Sequence, residues 1–231
     1  AAFGIGNMVQ SNSVAEGLGY FHIPPWITGV GLLFFVGLVT IGGIKRIAQV
    51  AMFCVPFMCI LYMIGALAVI TWKIDCVPAA LAMIVRDAFQ PSAAMGGFAG
   101  ASVMQAVRYG ISRGTFSNEA GLGSAPIAHA TARTDHPVRQ AYWGMMEVFI
   151  DTIIMCTATA LVIILTDAWK SGETGASLTI QGFSSLLGMK VGSAVVAFCM
   201  VLTAYDTNLA WCFYGETCAV YLLGHGRIVR Y

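Results

Sequence analysis

PSAAMGGFAGASVMQAVRYGISRGTFSNEAGLGSAPIAHAT, residues 91–131, is the stretch that decides how this chain folds. It begins as an apolar helix, is interrupted at Gly96, Gly97 and Gly100 around Phe98, resumes as ASVMQAVRYGI, and runs into a small-residue loop carrying Glu119. Glycine weakens a helix without supplying a side chain to pack. Inside a bilayer that weakness is tolerated only where the freed backbone groups face protein, water or a bound polar solute. The interruption therefore predicts a cavity at membrane depth, and with it a binding site. Close helix packing through Gly96 and Gly100, which have GxxxG spacing, is the competing reading.

Composition places the whole chain in the membrane. Of 231 residues, 58% are hydrophobic and 10% charged, with a mean hydropathy of +0.78. A soluble domain carries about a quarter of its residues as charges. The net charge of +1 supplies no basic field for nucleic acid, and no phosphate-cradling loop of the P-loop type is present. Cys54, Cys59, Cys156, Cys199, Cys212 and Cys218 fall in apolar runs and only Cys76 in an expected loop, so neither a disulfide framework nor a CxxC metal site is indicated. The chain opens with AAFGIGN and stops soon after a helix, which reads as a fragment with helices missing at both ends.

In chain order, residues 1–20 read as a helix entered part-way and ended by FHIPPW, where Pro24 and Pro25 cannot continue it. Residues 26–43 are just long enough to cross a bilayer of about 30 Å. Residues 44–72 give a third crossing with Pro56 as an expected kink. PAALAMIVRDAFQP, with Arg86, Asp87 and Gln90, reads as a short interfacial helix. The broken helix follows over 93–112, then a loop over 115–136, a crossing over 137–166, a partly amphipathic connection over 167–189, and a last crossing over 191–223.

Basic residues orient this path. Lys45, Arg46, Arg108, Arg113, Arg133, Arg139, Arg227 and Arg230 fall on one side, and Lys73, Arg86, Lys170 and Lys190 on the other. The positive-inside rule makes the first set cytoplasmic, placing the loops at 44–49, 113–137 and 224–231 inside a cell inner (plasma) membrane.

Three groups of polar side chains at membrane depth carry the functional expectations. In GNMVQSNSVA, Asn7, Gln10 and Ser11 share a helical face and present amide donors and acceptors suited to an amino-acid head group; interhelical hydrogen bonding is the alternative. In EVFID, Glu147 and Asp151 stand one turn apart, about 15 and 21 Å along a helix starting near Pro137. Two carboxylates so deep need a cation, an arginine, a shared proton, or a structural pairing such as with Arg108 or the Ser117-Asn118-Glu119 turn. In TAYDTNLAWCFYGE, Asp206 and Thr207 offer hard oxygen ligands for an alkali cation, and Trp211, a turn beyond Thr207, can wall an apolar pocket. His129, Asp135 and His136 match no zinc spacing.

GIGNMVQSNSVA, GGIKRIA, AAMGGFAGASVMQAVRYGISRGTFSNEAGLGSAPIAHAT, HPVRQAYWGMMEVFIDTI and WCFYGE together closely resemble the alanine or glycine:cation symporters, also called sodium:alanine symporters. The resemblance spans nearly the whole chain. It implies an all-α integral membrane protein with the five-plus-five inverted-repeat fold of the amino acid, polyamine and organocation transporter superfamily. About six crossings would be visible, the third to eighth core helices of one transmembrane transporter domain over 1–231. Residue by residue, it implies Asn7 and Gln10 at the substrate site, backbone groups of Gly96, Gly97, Phe98 and Gly100 facing the substrate, and Thr207 and Trp211 contributing from the last helix. Where such symporters commonly read Ser-Thr, an apolar residue and then Leu-Gly-Trp, this chain reads Asp206-Thr207-Asn208-Leu209-Ala210-Trp211. A carboxylate beside the expected cation position leaves sodium and proton coupling both open.

The function implied is sodium-driven symport of alanine, glycine or a similarly small neutral amino acid by alternating access, with the sodium ion held at Asp206 and Thr207 and no organic cofactor. An uncoupled pore and an intramembrane enzyme using Glu147 and Asp151 or the His129–His136 loop are the other classes; the first predicts current without fixed stoichiometry, the second a nucleophile or metal constellation.

Overall fold

The computed structural model describes residues 4–89, 99–119 and 121–224, all of them helix or connection, with no strand among them. In order come α1 (Ile5–Gly19), α2 (Pro25–Thr40), α3 (Gly43–Trp72), a 3₁₀ turn at Ile74–Cys76, α4 (Val77–Phe89), α5 (Ala99–Ser117), α6 (Ala125–His129) and α7 (Pro137–Val148). A π-helical segment, Phe149–Cys156, joins α7 to α8 (Thr157–Leu165); a 3₁₀ turn at Ala168–Ser171, α9 (Gly175–Leu187) and α10 (Met189–Leu223) follow.

Local chemistry sets the boundaries. α2 and α7 begin at Pro25 and Pro137, where a missing N–H costs nothing and the fixed φ suits the first helical position. His136 caps α7, its Nδ1 accepting from the Val138 N–H at 3.3 Å. α10 ends at Gly224, whose φ of 76° is left-handed territory that glycine enters freely.

Three described helical stretches are long and apolar enough to cross a membrane: Gly43–Trp72, Pro137–Leu165 and Met189–Leu223. They coincide with expected crossings, and α3 runs through Pro56 without ending. Expected crossings at 1–20 and 26–43 correspond to the 15-residue α1 and the 16-residue α2. Of the segment expected as a broken helix, the part from Ala99 is described, as α5; Gly96, Gly97 and Phe98 lie outside the described residues. Two expectations need correction. α5 continues to Ser117, with the Thr115 hydroxyl donating back to the Ile111 carbonyl at 2.7 Å, and the expected loop contains α6, where Pro126 sits in the first turn. The connection over 167–189 contains a true helix, α9, whose Ile180 and Phe183 are fully buried.

The chain packs as two compact units, one of Ala1–Val69 with Thr166–Tyr231 and one of Ile70–Leu165. In the first, α10 is the hub, packed on α1, α2 and α9. Val14, Ile180, Phe183, Val196, Ala204 and Leu209 fill it, and the Tyr62 ring lies tilted against Phe183 with centroids 5.1 Å apart. Leu209 also meets Val39 and Ile47, while the Tyr205 hydroxyl donates to the Phe35 carbonyl at 3.2 Å. Outward-facing side chains such as Phe53 at 74% exposure and Leu33 at 74% have lipid as their solvent, so their exposure carries no penalty. In the second unit α4 packs on α8, and the Lys73 ammonium donates to the Leu165 carbonyl at 2.7 Å, satisfying an end-of-helix acceptor.

α9 meets α10 backbone to backbone at Gly192, where an added Cβ would stand 2.6 Å from the Ser184 nitrogen. Gly→Ala in an open helix gains up to about 1 kcal/mol, whereas overpacking against backbone costs about 1–3 kcal/mol, so the clash wins. Gly192→Ala is expected to lower stability by about 1–2 kcal/mol net, read as a depressed melting temperature in detergent; an unchanged or raised temperature would refute the close docking of α9.

Candidate functional site

The first unit brings the amide-rich face of α1 against α10. A Cβ on Gly6 would fall inside the Trp211 indole, and Trp211 is 4% exposed, edge-on to Tyr214 at 5.6 Å. Asn7 Nδ2 reaches Cys212 Sγ at 4.0 Å, and Asn208 Nδ2 donates to Ser11 Oγ at 3.4 Å. Position numbers rise on one helix as they fall on the other, so the two run antiparallel. One edge of the contact carries Gly6 opposite Trp211, and one turn along it the same register sets Gln10 at the level of Thr207. The other edge carries the two amide rungs.

Four of the expected substrate residues, Asn7, Gln10, Thr207 and Trp211, thus fall within about one turn of one helix pair. Gln10 and Thr207 are half-buried. Asp206 does not join this face: two residues from Asn208, it stands about 160° away around α10 at 100° per residue. It is half-buried as well. Gly96, Gly97 and Phe98 are outside the described residues, and Gly100 sits in the first turn of α5.

Sequence reasoning passed over Asn208 and Gly6. Asn208 is 5% exposed and donates to Ser11 of α1, between the expected residues Thr207 and Trp211. The signal was there: Ala204, Asn208 and Trp211 at spacings of four and three mark the buried stripe of α10, and an asparagine in it must find a partner. The amide oxygens of Asn7 and Asn208 are both buried, and among the described residues neither receives a hydrogen bond.

The second unit disposes of the deep carboxylates differently. Ser117 Oγ donates to Asp151 at 2.6 Å, and beside it Asn118 Nδ2 donates to Thr152 Oγ1 at 2.7 Å while the Thr152 hydroxyl points back to Asn118 Oδ1 at 3.0 Å. Glu147 goes to another partner, with Oε2 3.5 Å from His129 Nε2, whose Nδ1 is 2.8 Å from Gln140 Nε2. The helix changes to π winding at Phe149, between the two acids, so the one-turn spacing expected of a regular α-helix is not kept. The structural pairing with the Ser117-Asn118 turn is the arrangement found.

His129, Asp135 and His136 also diverge: Asp135 pairs with Arg139 at 2.9 Å and His136 serves as a cap. No group of three metal-ligating side chains occurs among the described residues, and no disulfide links the cysteines among them.

Comparison with known proteins gives the family context. The model of the sodium:alanine symporter family matches residues 1–231. An uncharacterized transporter of Haemophilus influenzae is 46% identical over 97% of this chain and 50% of its own length. A sodium/alanine symporter of Methanococcus maripaludis is 45% identical over 100% of the chain and 51% of its own. A probable sodium/glutamine symporter of Bacillus subtilis is 40% identical over 91% of the chain and 44% of its own. The chain thus spans about half the length of the curated relatives it matches.

The Ser117–Asp151 bond is testable by a double-mutant cycle. Ser117→Ala and Asp151→Asn are expected to couple by about 0.5–3 kcal/mol, the range for residues that share a hydrogen bond; additive losses in thermal unfolding would show that the pair does not act as a unit.

Proposed function

Because the chain belongs to the sodium:alanine symporter family, whose members are transporters and not enzymes, we propose that the protein it represents carries a small neutral amino acid across the membrane by cation-coupled symport. The observation that carries this reading is the α1–α10 face, where uncharged amide and hydroxyl groups meet beneath a tryptophan at membrane depth. Such a surface suits a zwitterion. Its ammonium group is met by amide oxygens and hydroxyls, its carboxylate by amide N–H groups, and no fixed charge on the face competes with either.

Alanine or glycine is the substrate this reading favours over a larger side chain. Trp211 packs directly against Gly6, and an indole held there limits the room beside Gln10 and Thr207. The relatives named for alanine and for glutamine show that the similarity reaches proteins named for different amino acids. Sodium is the proposed coupling ion, held by Asp206 and Thr207, with Asp206 also giving a proton a route to participate. The five-plus-five inverted-repeat arrangement, the cytoplasmic placement of 44–49, 113–137 and 224–231, and a contribution from Gly96, Gly97, Phe98 and Gly100 are parts of the same proposal.

The mechanism needs no bond to change. Sodium binding favours the arrangement that accepts the amino acid, and the amino acid favours sodium by the same factor, since coupling between two equilibrium sites is reciprocal. An inward sodium gradient then drives uptake against the amino-acid gradient.

The deciding experiment is uptake of labelled alanine and glycine into proteoliposomes containing the complete gene product, with and without an inward sodium gradient; accumulation indifferent to sodium and to pH would end the symport reading. Gln10→Ala is expected to raise the half-saturating alanine concentration roughly tenfold or more, the cost of one hydrogen bond to a charged group, at unchanged membrane abundance. Asp206→Asn is expected to change the sodium or pH activation curve. Identical curves would remove Asp206 from the cation site.

A further inference from the structure

We infer that a groove on the outer surface of the first unit is a site for an anionic phospholipid, with one acyl chain lying in the groove and the phosphate at Lys190. The groove holds about 530 Å³, within the range of built small-molecule sites, and every side chain lining it is apolar. Leu18 and Phe21 wall it from α1 and the turn after it, Leu61 from α3, and Ala194, Phe198 and Val201 from α10. Its hollow comes from small residues. Ala194 and Ala197 stand where larger side chains would fill the space, and Ala197 is committed to the α1 contact, its Cα 3.8 Å from where a Cβ on Gly17 would stand. The rim is open, with Phe21 at 43% and Phe198 at 48% exposure. An unfilled hollow forfeits dispersion contacts on one side of the atoms that line it, and in a bilayer the solvent that can fill it from outside is hydrocarbon chain.

Charge at one end fixes the class of occupant. Lys190, Ala194, Ala197 and Val201, at spacings of four, three and four, form one stripe along α10. Lys190 thus continues the groove's own face, about 6 Å beyond Ala194 at 1.5 Å per residue, and its side chain leans toward the helix start and further outward. It is exposed, and none of the salt bridges found among the described residues engages it. The first turn of α10 carries no acid. Because α1 and α10 run antiparallel, the turn after α1 brings Tyr20, 42% exposed, and Trp26, 70% exposed, to the same end of the unit. Amphipathic aromatic rings settle at the level of lipid head groups, so the Lys190 end of the groove lies at the interface and the Val201 end in hydrocarbon. A cation at the interface above a purely apolar trough complements a phosphate carried on an acyl chain. A further transmembrane helix would cover the trough as well, but it would leave the lysine without a counter-charge. The site stands apart from the transport reading, since it uses none of Gln10, Thr207 and Trp211.

The test uses the complete gene product, purified in detergent and titrated in mixed micelles with dioleoylphosphatidylglycerol or dioleoylphosphatidylcholine. Bound lipid is counted by native mass spectrometry and stability is read as the melting temperature. The parent is expected to retain the glycerol lipid, and to melt higher with it than with the choline lipid, whose head group carries no net charge. Lys190→Gln is expected to weaken that preference roughly fivefold, the contribution of one lysine near an anionic head group. Ala194→Phe fills the trough and is expected to abolish retention with Lys190 still in place. Dihexanoylphosphatidylglycerol keeps the head group and shortens the chains, so its failure to stabilise the parent supports the acyl seat even if A194F folds poorly. Equal retention of both long-chain lipids by the parent means annular lipid only and overturns the site. An unchanged preference in K190Q overturns it by taking the phosphate away from that lysine. Equal stabilisation by short and long chains, or unchanged retention by folded A194F, overturns it by taking the acyl chain out of the groove.

Discussion

Close contact between α1 and α10 is the condition on which the rest of the first unit depends. Two helices in lipid gain little hydrophobic energy by meeting, since acyl chains solvate leucine as well as a neighbouring helix does. What holds them is backbone proximity and the dispersion and polar contacts it allows. Gly6 admits the face of Trp211, a Cβ on Gly17 would make ordinary contact with Ala197 and Met200, and Ser11 Oγ accepts from Asn208 Nδ2 at 3.4 Å. The same small residues that bring the helices together therefore create the polar face, because only at this separation do short asparagine side chains reach across. α9 applies the principle again at Gly192, and Glu16 of α1 completes the arrangement by accepting from the N–H and hydroxyl of Ser177 at the start of α9, at 3.3 and 2.6 Å.

Polar groups in the two units follow different rules. In the second, Asp151, Ser117, Asn118 and Thr152 satisfy one another, and Glu147, His129 and Gln140 form a chain of contacts. Such networks fix geometry, and a π segment at Phe149–Cys156 accommodates the pairing by underwinding the helix. On the α1–α10 face of the first unit the two asparagine N–H₂ groups are used and the two amide oxygens are left over. A satisfied network stabilises a fold; an unsatisfied one, buried, is stabilised by what binds it.

The carboxylates show why type and spacing alone mislead. Glu147 and Asp151 look like a pair on a helical wheel, but the wheel presumes 3.6 residues per turn throughout, and here the winding changes between them. Asp206 and Asn208 err in the opposite direction: two residues apart in the sequence, they face nearly opposite ways around α10.

Much was legible in the residues themselves. An excess of apolar side chains with few charges can only be solvated by lipid, so membrane class, the long crossings at 44–72, 137–166 and 191–223, and the boundaries at Pro25, Pro137 and Gly224 follow from chemistry local to each segment. So does the sharing of one face by Asn7 and Gln10, since 3.6-residue periodicity is a property of a single helix. What the sequence did not determine is everything that needs two segments to meet: the burial of α9, the partner of Asp151, the antiparallel register that sets Gly6 under Trp211, and the two amide oxygens left without donors. A helix decides where its side chains point, but only a second helix, at a distance set by the smallest residues between them, decides which polar atoms find partners and which do not.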